Sequence, residues 1–155
     1  MKLAELDNVK AVKYTLATQY EMTLMKDIIG EDFMVYTGLD MMVVSGFING
    51  ADGMIGANFN AFAELFVDIH EALKEGNFEV AISKQRDAIR IISIASKYRL
   101  FSIIRHLLKV QGVEAGYCRR PFRNISDTDF ATIKQEFVDM RDTYNIRGVA
   151  FLDNL

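Results

Sequence analysis

The constraint that most limits how this chain can fold is the rhythm of its first third, where short apolar runs alternate with segments of helical periodicity. After the polar pair Asp7-Asn8, Val9-Lys10-Ala11-Val12-Lys13-Tyr14-Thr15 reads as a β-like run. Residues 19–29 then carry Met22, Met25, Ile28 and Ile29 at steps of three and four, the spacing of one helix face. Gly30-Glu31-Asp32 ends that helix, and Phe33-Met34-Val35-Tyr36 is apolar without alternation, as expected of a strand covered on both faces. Thr37-Gly38-Leu39-Asp40 turns into an apolar segment at 41–48 that Gly50 can stop in a left-handed conformation, and Gly53-Met54-Ile55-Gly56 supplies a third brief strand. Strand-helix-strand-helix-strand order calls for parallel strands joined by crossovers.

Beyond that point the pattern is helical throughout. Phe62, Leu65, Phe66, Ile69 and Leu73 form one stripe, Gly76-Asn77 provides a stop and then a cap, and Ile82, Ile89, Ile92 and Ala95 suggest the buried face of the next helix. A third helix at 100–110 ends before Gly112, and Ser126 can cap a last one whose Phe130, Ile133, Phe137, Met140 and Tyr144 share a face. Val149-Ala150-Phe151-Leu152 is too apolar for a solvated tail and is expected to dock on the body or on a second subunit.

Three parallel strands are few for a closed sheet, because such sheets are normally covered on both faces and leave no long open edge. A (β/α)8 barrel needs about 250 residues, so 155 residues that end in extra helices would hold only about its last three β/α units. The expected fold is therefore α/β, a partial (β/α)8 TIM barrel followed by a C-terminal helical extension. Residues 1–76 would form the barrel segment, 77–145 a three-helix extension and 146–155 the apolar tail.

Charge and composition exclude several functions. The net charge of -3 comes from 18 basic and 21 acidic residues spread along the chain, which gives no positive field for nucleic acid or anionic lipid. Neither a secretory leader pattern nor a run of about 18 apolar residues occurs, so a soluble, cytoplasmic protein is expected, with no membrane partner. Cys118 stands alone and reads as a buried, inert thiol. His70 and His106 have no cysteine, histidine or acid at metal-ligand spacing, so no metal is assigned. Gly53 and Gly56 lack the lysine and hydroxyl that should follow a phosphate loop.

Lys13 carries the chemical interest. Strand alternation puts Ala11, Lys13 and Thr15 on one face and Val12 and Tyr14 on the other. If the second pair meets helices, Lys13 points into the barrel, where desolvation would favour a neutral amine able to attack a ketone and form an imine. The plainer alternative is an exposed lysine near a strand end.

The motifs Val9-Lys10-Ala11-Val12-Lys13-Tyr14-Thr15, Tyr36-Thr37-Gly38-Leu39-Asp40 and Gly46-Phe47-Ile48-Asn49-Gly50-Ala51-Asp52-Gly53-Met54-Ile55-Gly56, with Ala72-Leu73-Lys74-Glu75-Gly76-Asn77 and Cys118-Arg119-Arg120-Pro121-Phe122 further on, together resemble the N-acetylneuraminate lyase branch of the dihydrodipicolinate synthase family. The resemblance implies that the strands are barrel strands six to eight and that Lys13 is the Schiff-base lysine. It also implies that Thr15 sits beside Lys13, that Gly38 and Asp40 contact the aldehyde-derived part of the substrate, that the Ile55 carbonyl approaches the imine with Gly56 next to it, and that no cofactor is needed. The substrate would be a 2-oxo acid cleaved to pyruvate and an aldehyde.

Two positions depart from the lyase pattern: Met41 stands where it has a glutamate for the sugar's polar tail, and Ala57 where it has a serine. The proton-relaying tyrosine and the hydroxyl turn that grips the pyruvate carboxylate belong to the first half of such barrels. Tyr14 should face outward and Tyr36 lies at a strand centre, so neither replaces them. Little or no turnover is expected from this chain alone, and its open edges should drive homo-oligomerisation or pairing with a complementary N-terminal half-barrel. The competing expectation is a non-catalytic remnant that serves only as an oligomerising domain. A helical binding module formed by residues 59–145 is a third.

Overall fold

A computed structural model describes residues 2–155, and of Lys2 only the backbone. It divides into two compact units, one ending at Gly56 and the other beginning at Ala57.

The first unit contains β1 (Ala11–Tyr14), α1 (Tyr20–Ile29), β2 (Met34–Thr37), α2 (Val43–Ile48, entered by a 3-10 turn at Asp40–Met42) and β3 (Gly53–Met54). The sheet order is β1-β2-β3 with both pairs parallel. Lys13 lies beside Tyr36, and Tyr36 beside Gly53. One face is packed: Tyr14 and Val35 bury against Met22 of α1 and against Ala51, with Val12, Met25 and Phe33 closing around them. On the same face α2 comes so near that a Cβ at Gly46 would lie 2.6 Å from the Thr37 Cβ, so glycine is the residue that admits this approach.

The expectation that β2 is covered on both faces is corrected here. Its residues alternate, with Val35 and Thr37 buried and Met34 40% exposed. An unbroken apolar run cannot distinguish a strand that is covered on both faces from one that is covered on one, and both helices of this unit pack on the Val35 side.

At the opposite end of the strands a charged contact ties three segments together. Lys26 is buried, and its ammonium lies 2.8 Å from the Asp52 carboxylate while also donating to the Glu31 carbonyl at 3.1 Å. Asp52 in turn accepts the Val35 amide at 2.6 Å. Burial alone would raise the Asp52 pKa, but the Lys26 hydrogen bond, the Val35 amide and the lysine charge together outweigh it and hold the carboxyl below its ordinary value. A carboxyl whose folded pKa is depressed contributes stability that is complete above its unfolded pKa, about 3.9, and is lost as pH falls through the lower folded value. Asp52→Ala leaves the buried Lys26 ammonium with the Glu31 carbonyl but no counter-charge, and because the Asp52 side chain is 35% exposed the expected cost at pH 7 is about 1–2 kcal/mol. In denaturant titrations from pH 7 down to pH 2, the gap between wild type and variant should close at the acid end, and a gap independent of pH would contradict the assignment.

The second unit is helical: α3 (Phe59–Lys74), α4 (Phe78–Lys97), α5 (Leu100–Val110), α6 (Asp127–Tyr144) and α7 (Ala150–Asp153). Helix α3 buries Phe62, Leu65, Phe66, Ile69 and Ala72. The caps fall where expected, since Asn77 accepts the Val80 amide and Ser126 accepts the Asp129 amide. The face assigned to α4 needs correction. It buries Ala81, Gln85, Ala88, Ile91, Ile92, Ile94 and Ala95, whereas Ile82 is 43% exposed. Ile92 and Ala95 are buried as expected; Ala81, Ala88 and Ala95 recur once every two turns, and such small side chains let helices approach closely, so the buried stripe runs through Ala81 and Ala88 rather than Ile82. Tyr144 also leaves the α6 stripe, and its exposed ring carries the Arg90 guanidinium 3.9 Å from its centroid.

Packing divides the chain at residue 56, whereas barrel convention places α3 with the strands and divides it at 76. The difference arises because the apolar face of α3 is buried against α4 and α5. Among the described residues no helix is long and apolar enough to cross a membrane.

The apolar tail docks on the body of this unit. Val149, Phe151 and Leu152 are fully buried, and the Phe151 ring meets Phe62 at 5.9 Å and Phe137 edge-on at 5.6 Å. The Ala150 amide donates to Glu64 at 2.6 Å, and Arg141 donates to the Leu152 carbonyl at 2.8 Å. Phe151→Ala is expected to destabilise the unit by about 3–5 kcal/mol in denaturant unfolding, and a change below about 1 kcal/mol would show that the tail is not part of the core.

Candidate functional site

Parallel strands have all their C-terminal ends on one side, and this is where the first unit collects its polar and glycine residues. Lys13 lies near the end of β1 and Thr15 just past it; Gly38 and Asp40 follow β2; Ile55 and Gly56 follow β3. The backbone ladder runs on beyond the strands, with the Gly38 amide donating to the Tyr14 carbonyl at 2.8 Å and the Ile55 amide to the Thr37 carbonyl at 3.0 Å. The three loops therefore leave the sheet side by side.

Two close approaches follow. A Cβ at Gly38 would lie 2.6 Å from Lys13 Cε and would overlap the Thr15 hydroxyl, so Lys13 and Thr15 converge over this glycine. A Cβ at Gly56 would overlap the Asp40 carboxylate, 2.7 Å from Oδ2. The structure thus brings Lys13, Thr15 and Gly38 into one group and Asp40 and Gly56 into another. Ile55 enters through its amide contact with Thr37.

Tyr14 points the other way, as the alternation requires. It is buried and donates to Glu21 at 2.5 Å, with Thr18 also in reach. Burial, with the Glu21 carboxylate added, raises its phenol above the ordinary value, which makes Tyr14 a poor proton donor to anything on the Lys13 face. Tyr36 shares the Lys13 face but lays its ring on Gly53, where a Cβ would lie 3.0 Å away, and sends its hydroxyl back along the strand to Met34 Sδ at 3.2 Å.

The expectation that Lys13 is shielded from water is corrected: its side chain is exposed. Desolvation requires low-dielectric matter on both sides of a side chain, and among the described residues the Lys13 face of the sheet is open, as Met34 beside it also shows.

Two residues of this region carry no signature in the sequence. Gln19, directly before α1, is buried and donates through Nε2 to Thr37 Oγ1 at 3.3 Å and to the Met42 carbonyl at 3.1 Å. Thr37, which looks like an ordinary strand threonine, is buried between that amide and Gly46. A lone Gln before a helix is too common to mark a site, although the Gly at 46, inside an otherwise apolar helix, hinted at a close approach.

Elsewhere the candidates are structural. His106 stacks on Phe130 with ring centroids 4.5 Å apart, and its Nε2 lies 3.1 Å from the Ile125 carbonyl. Among the described residues no three His, Cys, Asp or Glu side chains gather as metal ligands. Cys118 is a buried free thiol, and Arg119 and Arg120 are exposed.

A parallel sheet with a lysine, a threonine, two glycines and an aspartate at its C-terminal strand ends, continued by a helical extension, is the arrangement of a segment of a (β/α) barrel. The chain belongs to the dihydrodipicolinate synthetase family, whose model matches residues 1–138. It is 30% identical over 128 residues to the N-acetylneuraminate lyase of Rhizobium meliloti, a match covering 83% of this chain and 42% of that protein. The wild-type sialic acid aldolase of Ruminococcus gnavus superposes with a TM-score of 0.82 at 25% identity over 92% of this chain and 50% of that one. The N-acetylneuraminate lyase of Fusobacterium nucleatum complexed with pyruvate gives 0.79 at 26% identity, over 92% and 47%. The chain spans about half the length of the relatives it matches, and its fold is a partial TIM barrel with a C-terminal helical extension.

The two kinds of glycine contact differ in consequence. The Gly46 neighbour is the branched Cβ of a buried threonine, whereas the Gly38 neighbours are the hydroxyl of Thr15 and the Cε and Cγ of Lys13, both exposed side chains with room to turn away. Gly46→Ala is therefore expected to destabilise by about 1–3 kcal/mol. Gly38→Ala should cost less than about 1 kcal/mol, because a flexible side chain can move aside, yet it should shift the Lys13 ε-methylene resonance in NMR spectra. A Gly38→Ala spectrum with an unmoved Lys13 signal would refute the contact.

Proposed function

We propose that Lys13 is the Schiff-base lysine of a class I lyase that cleaves a 2-oxo acid to pyruvate and an aldehyde, in the manner of an N-acetylneuraminate lyase. The observation that carries this reading is the convergence of Lys13 and Thr15 over Gly38 at the C-terminal strand ends. The Fusobacterium relative, solved with pyruvate, supports the choice of ligand.

In this reading the Lys13 amine attacks the keto carbon and water leaves to give an iminium ion, which accepts the electron pair released when the carbon–carbon bond breaks. Thr15 flanks the imine, the Ile55 carbonyl and Gly56 line its approach, and Gly38 and Asp40 contact the aldehyde-derived portion. Met41 and Ala57 remove two polar groups from that portion's surroundings, so a polyhydroxylated sugar would bind less well here than where glutamate and serine are present.

Neither Tyr14 nor Tyr36 is placed to relay a proton to this imine. Proton transfer and a carboxylate clamp would come from a complementary N-terminal half-barrel seated on the open Lys13 face, which would also desolvate the amine; a second copy of the chain there would supply desolvation alone. Without them turnover would be slight, since each such effect is commonly worth about 10²-fold or more. The buried, unpaired Cys118 fits a reducing cytoplasm. The exposure of Lys13 favours a second reading, a non-catalytic oligomerising domain.

Incubation with pyruvate followed by borohydride separates the two. The first reading expects a reduced pyruvate adduct on Lys13 by peptide mass spectrometry, absent in Lys13→Ala. Labelling spread evenly over the surface lysines, or none at all, would favour the second.

A further inference from the structure

Gln19 is a buried polar side chain that the imine chemistry does not use. It is 4% exposed. It occupies the position before the first turn of α1, yet its side chain makes no capping bond to that helix. It reaches instead across to the next β/α unit, where Nε2 meets Thr37 Oγ1 at 3.3 Å and the Met42 carbonyl at 3.1 Å. These two partners bracket the segment that carries Gly38 and Asp40, one directly before it and the other directly after. Thr37 is also held from its far side by the close approach of Gly46, so the amide closes a frame around the β2–α2 loop.

The remaining atom of the amide decides how this contact is understood. Gln19 Oε1 is buried and has no hydrogen-bond partner among the described residues, and a buried acceptor without a protein partner adds nothing to core stability. Leucine has a similar volume and no polar atom to strand. The amide is thus a poor choice for core stability, and among the described residues its bonds fall at the two ends of the loop, on Thr37 and Met42.

We infer that Gln19 is a positioning residue, whose amide holds the loop of residues 38–42 in the shape that sets Gly38 against Lys13 and Thr15 and Asp40 against Gly56. The loop-geometry part of this inference stands independently; its effect on imine formation rests on the reading of Lys13 above.

The test is Gln19→Leu in the full chain, with Gln19→Met as an unbranched second variant in case the leucine does not fit. A core role would lower the denaturant midpoint. A positioning role leaves the midpoint unchanged or raised, while hydrogen-exchange protection of the Gly38 and Met42 amides, bonded to the Tyr14 and Leu39 carbonyls, falls on the order of tenfold, about what one lost hydrogen bond releases. Borohydride-trapped labelling of Lys13 by pyruvate should slow together with it. A midpoint that falls with protection lost across the whole unit, or a loop whose protection does not change, overturns the inference. Absence of labelling in the wild type would sink the imine reading only, because midpoint and exchange still decide the role of Gln19.

Discussion

The parallel pairing of β1, β2 and β3 is the interaction on which the rest of this structure depends. Because the strands run the same way and pair in register, Lys13 beside Tyr36 beside Gly53, every loop that follows a strand emerges on one side. The backbone bonds from Gly38 to Tyr14 and from Ile55 to Thr37 extend that alignment past the strand ends. A one-residue slip in β1 would turn Lys13 to the helix side and Tyr14 to the open side. The apolar contacts of Tyr14 and Val35 with Met22 resist such a slip, so the same packing that stabilises the unit also aims the amine.

That packing is one-sided. Helices α1 and α2 seal the Val35 face, and the Lys26–Asp52 pair closes the N-terminal end of the strands. Among the described residues the Lys13 side chain is exposed. In the proposed role, position and desolvation are separate requirements for an amine nucleophile, and this chain of about half the relatives' length would supply the first.

Much of this was legible in the amino-acid sequence, and the failures share a physical cause. Strand and helix order, the Asn77 and Ser126 caps and the glycine stops follow from local chemistry, and local chemistry is what a single sequence displays. On α4 the sequence stripe meets the buried face at Ile92 and Ala95 but not at Ile82, because close helix contact selects Ala81 and Ala88 for smallness where bulk favours isoleucine. The covering of β2 was misread because an apolar run says nothing about what lies opposite. At the candidate site, strand alternation puts Lys13 and Thr15 on one face, whereas Gly38, Asp40, Ile55 and Gly56 enter only through a family pattern. Gln19 enters through neither, since its importance lies in reaching Thr37 and Met42, eighteen and twenty-three residues away.

Strand register brings the Lys13 side chain and the Thr15 hydroxyl to Gly38. The most direct measurement is a set of NMR cross-relaxation contacts in the unliganded chain. The account predicts contacts from the Lys13 ε-methylene to the Gly38 α-protons and the Thr15 methyl. Intact β1–β2 backbone contacts with a Lys13 tip that touches neither residue would contradict it.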